Sequence, residues 1–405
     1  MNILFLTLLD FDSLETSNIY TDLLKEFIKH EHSLYIVSPT ERRFKKKTQL
    51  IKQDKFQIVK KKIGNIQKTG FIEKGISTIF IDRQFVNAIK KYFNNISFDL
   101  VIYSTPPVSF TKTVNWIKKK YQSISYLLLK DIFPQNAVDL EVLRKKGLFS
   151  IIYLYFRKKE KLLYEISDYI GCMSELNRKY IIKNNPSINI NKVEVCPNSI
   201  VPTKIYLSQN KKSIRKKYGL SESDTLFIYG GNIGKPQGVS FICECIKRVD
   251  YIKNAKIMIV GSGTEFNVLQ NYIQIHNIKN TILINFLPKN EFEDLLLISD
   301  VGLIFLDYRF TIPNYPSRLL SYLQASLPIL MSSDENTDLA TDLVEWGVGS
   351  WVPSNDVLKF EEMYIKYLDV NFREKMFSKA FDILVNKFNV RDSYDVIMKH
   401  MNKGE

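Results

Sequence analysis

Phosphates are held by lysine, arginine and backbone N–H groups, and one stretch of this chain gathers all three kinds of donor. It is Phe227-Ile-Tyr-Gly-Gly-Asn-Ile-Gly-Lys-Pro-Gln-Gly238. The apolar run from Thr225 to Tyr229 reads as a buried strand, and Val239 to Ile252 carries apolar residues at helical spacing. A strand, a glycine loop and a helix in that order present backbone N–H groups at a helix start, where an anion is stabilised. Lys235 adds a positive charge. Gly231, Asn232, Gly234 and Lys235 are therefore the expected phosphate ligands. Further on, Tyr308 to Tyr315 is a polar, aromatic loop ending in Pro316-Ser317-Arg318 at a second helix start. A cation is disfavoured at a helix N-terminus, so Arg318 points to an anion partner, with Ser317 beside it. Gly261-Ser262-Gly263 also follows a strand and would free further backbone donors, and Phe286-Leu287-Pro288 would present backbone groups to a base.

In the first half, the acid expected to do chemistry is Asp131. It stands just past the apolar run Ile124 to Leu129, and an acid at the end of an inner strand faces the ligand side of an open α/β sheet. As a loop acid or helix cap it would be purely structural. The loop Leu9 to Ser17, with Asp10, Asp12, Ser13 and Ser17, follows the first strand. Ser104-Thr105-Pro106-Pro107 follows another. Both lie where such sheets bind ligands, though a solvated loop is the plain alternative.

These residues need two sheets to position them. The chain has 405 residues, too many for one core. In the first half, strands are expected at Asn2–Leu8, Ser33–Ser38, Asp99–Tyr103, Ile124–Leu129, Asp168–Met173 and Val193–Cys196. In the second, they are expected at Thr225–Tyr229, Lys256–Val260, Ile282–Phe286, Val301–Leu306 and Pro328–Met331. Helical stretches alternate with them throughout. Alternation of this kind implies parallel, doubly wound sheets. Ser199 to Ser213 is polar and lacks a period, and marks the boundary. The expected division is 1–200 and 201–385, each Rossmann-like, with 386–405 a C-terminal helix packing back on the first domain. The final residues are helical and polar.

The formal net charge is +14, which implies an anionic partner: a membrane surface, nucleic acid or phosphorylated substrates. Arg42-Arg43-Phe44-Lys45-Lys46-Lys47 and Lys60-Lys61-Lys62 read as a basic loop region, interleaved with Phe44, Leu50, Ile51, Phe71 and Ile72. Residues 141–165 combine Arg144, Lys145, Lys146, Arg157, Lys158, Lys159 and Lys161 with Tyr153, Tyr155 and Phe156, and make the stronger membrane-surface candidate. The basic runs cluster in first-half loops and no nucleic-acid recognition motif appears, so nucleic acid is not expected. No apolar run approaches the roughly 20 residues that span a bilayer. Met1 to Leu9 is a strand and not a signal peptide. Four cysteines, at 172, 196, 243 and 245, form no metal or disulfide framework. They indicate a reducing, cytoplasmic setting.

Four segments resemble a GT-B glycosyltransferase of the retaining family 4, in the capsule and O-antigen branch that includes N-acetylfucosamine transferases. They are Asp131-Ile-Phe-Pro-Gln-Asn-Ala-Val-Asp139, Val195-Cys-Pro-Asn-Ser-Ile200, Gly231-Asn-Ile-Gly-Lys-Pro-Gln-Gly238, and Pro316-Ser-Arg-Leu-Leu-Ser-Tyr-Leu323 with Pro328-Ile-Leu330. The resemblance implies two Rossmann-like domains facing a cleft, and transfer of a sugar from a UDP-sugar with retention. It implies an undecaprenyl-diphosphate-linked acceptor, no metal or other cofactor, and a protein peripheral at the cytoplasmic face of the membrane. By position, Lys235 and Arg318 would hold the diphosphate. Leu287, Tyr315, Ser317 and Ser321 would meet base, ribose or sugar, and Ser17, Asn18 and Thr105 the acceptor. The sequence departs from the family pattern in three places. Pro313 and Ser321 stand where a spaced pair of glutamates is usual. Ser17 and Asn18 stand near the place of a glycine-rich first loop. None of His30, His32, His276 and His400 matches the usual first-domain histidine. Alternatives are a UDP-sugar 2-epimerase of the same fold, which needs more carboxylates and a histidine, and a non-catalytic partner of another transferase.

Overall fold

The computed structural model describes residues 1–10, 12–66, 71–106, 108–147 and 150–401, without the side chains at 71, 72 and 74–76. Pro107 and the side chains of Phe71 and Ile72 thus lie outside the described residues. The chain divides into two compact units, Met1–Val201 with the chain from Val390, and Pro202–Asn389.

Unit 1 is built on eight strands: β1 (Asn2–Leu6), β2 (Ser33–Glu41), β3 (Gln49–Lys52), β4 (Phe56–Ile63), β5 (Leu100–Ser104), β6 (Ile124–Leu129), β7 (Tyr169–Cys172) and β8 (Val193–Val195). Their order across the sheet is β3-β4-β2-β1-β5-β6-β7-β8. All neighbours are parallel except β3 and β4, which form an antiparallel edge. The inner strands are apolar almost without interruption, because helices cover both faces of a parallel sheet. On one face Phe5, Ile36 and Ile102 meet Leu24 and Phe27 of the helix Thr21–Lys29. Val390, Tyr394 and Ile397 of the helix Val390–Met398 join the same core. On the other face lie the helices Phe71–Tyr92 and Thr111–Tyr121, with Phe85 and Phe110 rings 5.3 Å apart.

Unit 2 carries β9 (Thr225–Gly230), β10 (Ala255–Val260), β11 (Thr281–Ile284), β12 (Val301–Phe305), β13 (Ile329–Ser333) and β14 (Gly349–Pro353). The order is β11-β10-β9-β12-β13-β14, every pair parallel. The chain winds outward in one direction from β9 and in the other from β12, so the crevice between their carboxyl ends is the topological switch point where open sheets take ligands. The glycine loop leaves β9 at that point.

The α/β, doubly wound class expected from the sequence is the observed one. Three expectations need correction. Lys60 to Lys62 are not in a loop but in β4, and Lys60 is 2% exposed. Its ammonium is covered by the carboxylates of Asp10 and Asp12. Burial lowers the affinity of Lys60 for its proton, and the two acids more than reverse this, so its pKa is raised. The loop expected at Leu9 to Ser17 runs on to Tyr20, and the helix behind it starts only at Thr21. β14 is an additional strand; Gly349 and Pro353 at its ends mask it in sequence.

Candidate functional site

β9 delivers the chain to a loop that only glycine can build. Gly231 has φ +132°, a conformation L side chains rarely adopt. The loop is locked against the turn after β10: Gly231 N donates to Val260 O at 2.9 Å and Ile233 N to Ser262 O at 3.0 Å. A Cβ at Gly261 would fall 1.8 Å from the Gly231 carbonyl oxygen, and one at Gly263 would fall 2.1 Å from that of Ile233. The Gly261-Ser262-Gly263 segment, expected to free donors, thus serves as a seat for the first loop. Gln237 fastens the loop from within. Its Oε1 accepts from Gly234 N at 3.1 Å and from Asn232 Nδ2 at 2.9 Å. Asn232 and Gly234 therefore spend these donors on loop shape.

Lys235 stands exposed on the turn Lys235–Gln237. Gly238, at φ +61°, starts the helix Val239–Val249, whose first amides have no helical acceptor. Asp307 N donates to Pro236 O at 3.0 Å, joining the turn to the exit of β12. The Asp307 carboxylate is engaged by Arg309 Nε and Nη2, each at 2.9 Å.

Arg318 opens the helix Arg318–Gln324. Its guanidinium carbon lies 4.3 Å from the centroid of the buried Tyr229 ring, and 3.5 Å from where a Gly231 Cβ would be. Stacking holds the plane of the fork. Its Nη1 is buried and has no hydrogen-bond partner. A buried cationic donor left unpaired is costly, so this nitrogen is set for an acceptor from outside. One turn later, Tyr322 Oη accepts from Gly230 N at 3.2 Å and donates to Leu303 O at 2.8 Å. It pins the Arg318 helix to β9 and β12 together. Residues four apart share a helix face, and that spacing was the signal in the sequence for Tyr322. Gln237 and Tyr229, also passed over in sequence, carry no comparable signal.

The structure thus brings Gly231 and Arg318 together, beside the turn bearing Lys235. Ser317 is exposed and makes no side-chain cap hydrogen bond, and Ser321 is half-buried one turn on. Tyr315 Oη donates to Asp342 at 2.8 Å, and burial raises the pKa of the phenol. Leu287 is half-buried past the end of β11, next to Phe286, which is 76% exposed.

In unit 1, Thr105 and Asp131 meet. The Thr105 hydroxyl donates to Asp131 O at 3.0 Å, and it accepts from Lys130 N at 3.1 Å and Asp131 N at 3.2 Å. This one hydroxyl ties the exits of β5 and β6. Burial raises the Asp131 carboxyl to about 6, against the opposing hydrogen bonds of the Ile132 amide and Asn136. Asn136 Nδ2 donates to its Oδ2 at 2.7 Å. Beside it, burial lowers Lys130 to about 8. Sequence reasoning did not select Lys130, although it shares the strand-end position of Asp131. Ser17 Oγ donates to Asp22 at 2.8 Å, and Asn18 Oδ1 accepts from the amides of Tyr20 and Thr21 at 2.9 and 3.1 Å. Both side chains thus shape the start of the helix Thr21–Lys29. Among the described residues no group of three or more His, Cys, Asp and Glu is placed to hold a metal.

The helix Ser150–Ile166 exposes Ile151, Leu154 and Tyr155, and the preceding loop exposes Val142 with Arg144, Lys145 and Lys146. Arg157 is committed to Glu160 and to Asn184 and Asn185. Among the described residues no helix is long and apolar enough to cross a membrane.

Residues 210–381 match the family model "Glycosyl transferases group 1". A probable glycosyltransferase, WbjE of Pseudomonas aeruginosa, is 23% identical over 294 residues, which are 71% of this chain and 70% of the relative. Among solved structures, one described as trehalose-6-phosphate from E. coli bound with UDP-2-fluoro glucose superposes with a TM-score of 0.70 at 9% identity. It covers 100% of this chain and 99% of its own. HepE of Anabaena, in complex with UDP and glucose, gives a TM-score of 0.68 at 12% identity, with 99% of each chain covered. These likenesses make the fold GT-B.

Proposed function

We propose that this glycosyltransferase of GT-B fold, with a group 1 domain in unit 2, moves a sugar from a UDP-sugar to a lipid-linked acceptor with retention of anomeric configuration. The observation that carries the reading is Arg318: an unpartnered, buried guanidinium nitrogen beside Gly231, held by Tyr229, in the loop system that also bears Lys235. That set of donors fits a diphosphate. Two structural neighbours were solved with UDP or a UDP-sugar bound, which supports uridine as the nucleoside. Leu287, Tyr315, Ser317 and Ser321 are assigned to the base, ribose and sugar end of the donor. An N-acetylfucosamine-type amino sugar and a role in capsule or surface polysaccharide synthesis follow from the sequence resemblance to family 4.

The chemistry then needs charge stabilisation more than a nucleophile. The bond from the anomeric carbon to the diphosphate oxygen breaks, and the acceptor oxygen bonds to the same face of that carbon. The acceptor's proton passes to the departing diphosphate. Arg318, Lys235 and the amides of the Val239–Val249 helix start stabilise the charge on the leaving group. Asp131 orients the acceptor hydroxyl, with Thr105 fixing the Asp131 backbone and Ser17 and Asn18 flanking the acceptor. The acceptor is an undecaprenyl-diphosphate sugar, met at the cytoplasmic face of the membrane, where Arg144 to Lys146 and the exposed Ile151 and Leu154 meet anionic lipid. UDP release from a panel of UDP-sugars, with bacterial lipid extract as acceptor, tests the reading. At least one donor is turned over, the product keeps the donor's anomeric configuration by NMR, and Asp131→Asn slows turnover about 100-fold. An inverted product removes retention, and full turnover by a folded Asp131→Asn variant removes the acid from the mechanism.

A further inference from the structure

A second ligand site lies in unit 1, away from Asp131. At the carboxyl ends of β2 and β4 the sheet opens into a cavity of about 790 Å³, lined among others by Arg42, Lys62, Glu73, Ser77, Phe80 and Gln84. That volume lies in the range of small-molecule sites. Its wall is braced. Glu73 Oε1 accepts from Arg42 Nη2 at 2.7 Å and from Asn65 Nδ2 at 2.8 Å, while Asn65 Oδ1 accepts from Arg43 N at 2.9 Å. The loops after β2 and β4 are thereby joined to the helix Phe71–Tyr92. Gly64 lets the chain pass Ser77: a Cβ there would fall 2.2 Å from Ser77 Oγ.

Three features define the ligand. Gln84 Oε1 is buried and has no partner. It is an acceptor, so the ligand must bring an O–H or N–H to it. Arg42 keeps guanidinium donors beyond the one given to Glu73, and Lys62 is exposed beside it. The two cations outnumber the one carboxylate among these lining residues, so the ligand also carries an anionic group. The Phe80 ring is 49% exposed, an apolar face for a flat, weakly polar ring. A hydroxylated ring bearing an anion meets all three.

We infer that this cavity is a sugar-phosphate subsite, in which a ring hydroxyl donates to Gln84, the ring covers Phe80, and the phosphate meets Arg42 and Lys62. This binding does not depend on the transferase reading, which places the acceptor hydroxyl at Asp131.

Calorimetric titration of the full chain with N-acetylglucosamine 1-phosphate tests it, with N-acetylglucosamine and inorganic phosphate as separate arms. The sugar phosphate binds at least about tenfold more tightly than either fragment. Gln84→Met, which keeps shape and removes the acceptor, weakens it about tenfold. Arg42→Gln weakens it and reduces its salt dependence. Phe80→Ala, at a half-exposed position, weakens it several-fold without a folding defect. A farnesyl-diphosphate conjugate of the same sugar distinguishes the source: tighter binding than the free sugar phosphate marks a lipid-linked ligand, and equal binding marks a free one. No binding of the sugar phosphate in the millimolar range overturns the assignment, as does wild-type affinity in Gln84→Met and Arg42→Gln. A parallel titration with UDP reports on unit 2. Its failure in the wild type would sink the transferase reading alone and leave the cavity's ligand decided by the first titration.

Discussion

Arg318 occupies a helix start, where a cation is disfavoured, and still leaves one buried nitrogen unpaired. Both costs are recovered when an anion arrives. Arg318→Ala should weaken UDP binding by about 10- to 100-fold by calorimetry, and Arg318→Lys nearly as much, because an ammonium cannot stack on Tyr229 and present a planar fork. Lys235→Ala should cost less, about three- to tenfold, since the side chain is exposed and screened. Asp131 makes the pH prediction. Burial raises its pKa to about 6 in the folded chain, against about 3.9 unfolded. The folded state therefore holds the extra proton between these values. This contribution to stability is full below about pH 4 and is lost as pH rises through about 6. Urea unfolding should lose this slope in Asp131→Asn, and turnover, which on the proposed role of Asp131 needs the carboxylate, should rise through the same window in the wild type only. Lys235, Arg318 and Asp131 were legible because their types sit at strand and helix ends. Lys130 shares that strand-end position and was passed over; Gln237 and Tyr229 were not legible, because what distinguishes each is a bond inside a loop or a neighbour distant in sequence.

The loop is only as well placed as the elements around it. Tyr322→Phe removes a hydroxyl that serves β9 and β12 at once, and should cost about 1–3 kcal/mol in urea unfolding. Gly261→Ala should cost more and abolish UDP binding, since the new Cβ would strike backbone and not a flexible side chain. Most of the strands flanking the site could be read from sequence: buried parallel strands are mostly apolar runs, and β1, β6, β9 and β10 are of that kind, with Ser125 and Lys256 near the starts of β6 and β10 as the interruptions. β4 escaped because three lysines interrupt it. Lys60 is tolerated in the sheet only through Asp10 and Asp12, supplied by a loop far away in sequence. β14 escaped because it is short and bounded by glycine and proline.

Across the whole chain, unit 1 takes its last helix from beyond unit 2. Val390, Tyr394 and Ile397 are buried in its core. His400 Nε2 lies 2.9 Å from Glu194 Oε1 and its ring stacks on Tyr169 at 3.5 Å. Ending the chain at Asn389 should therefore destabilise unit 1 by several kcal/mol, roughly the value of burying three large side chains, while UDP binding by unit 2 persists. The net charge of +14 belongs to the membrane prediction. Ile151→Ser with Leu154→Ser should reduce cosedimentation with anionic vesicles at low salt, and neutral vesicles should not bind. The most direct measurement is thermal stabilisation by UDP and a panel of UDP-sugars, on the wild type and on Arg318→Ala. UDP should raise the midpoint and one UDP-sugar should raise it further, with about 2.7 kcal/mol of stability over the ligand-free protein at a concentration 100 times its Kd, and Arg318→Ala should cut both shifts to about half or less at the same concentrations. No shift with UDP or any UDP-sugar, or undiminished shifts in Arg318→Ala, would contradict it.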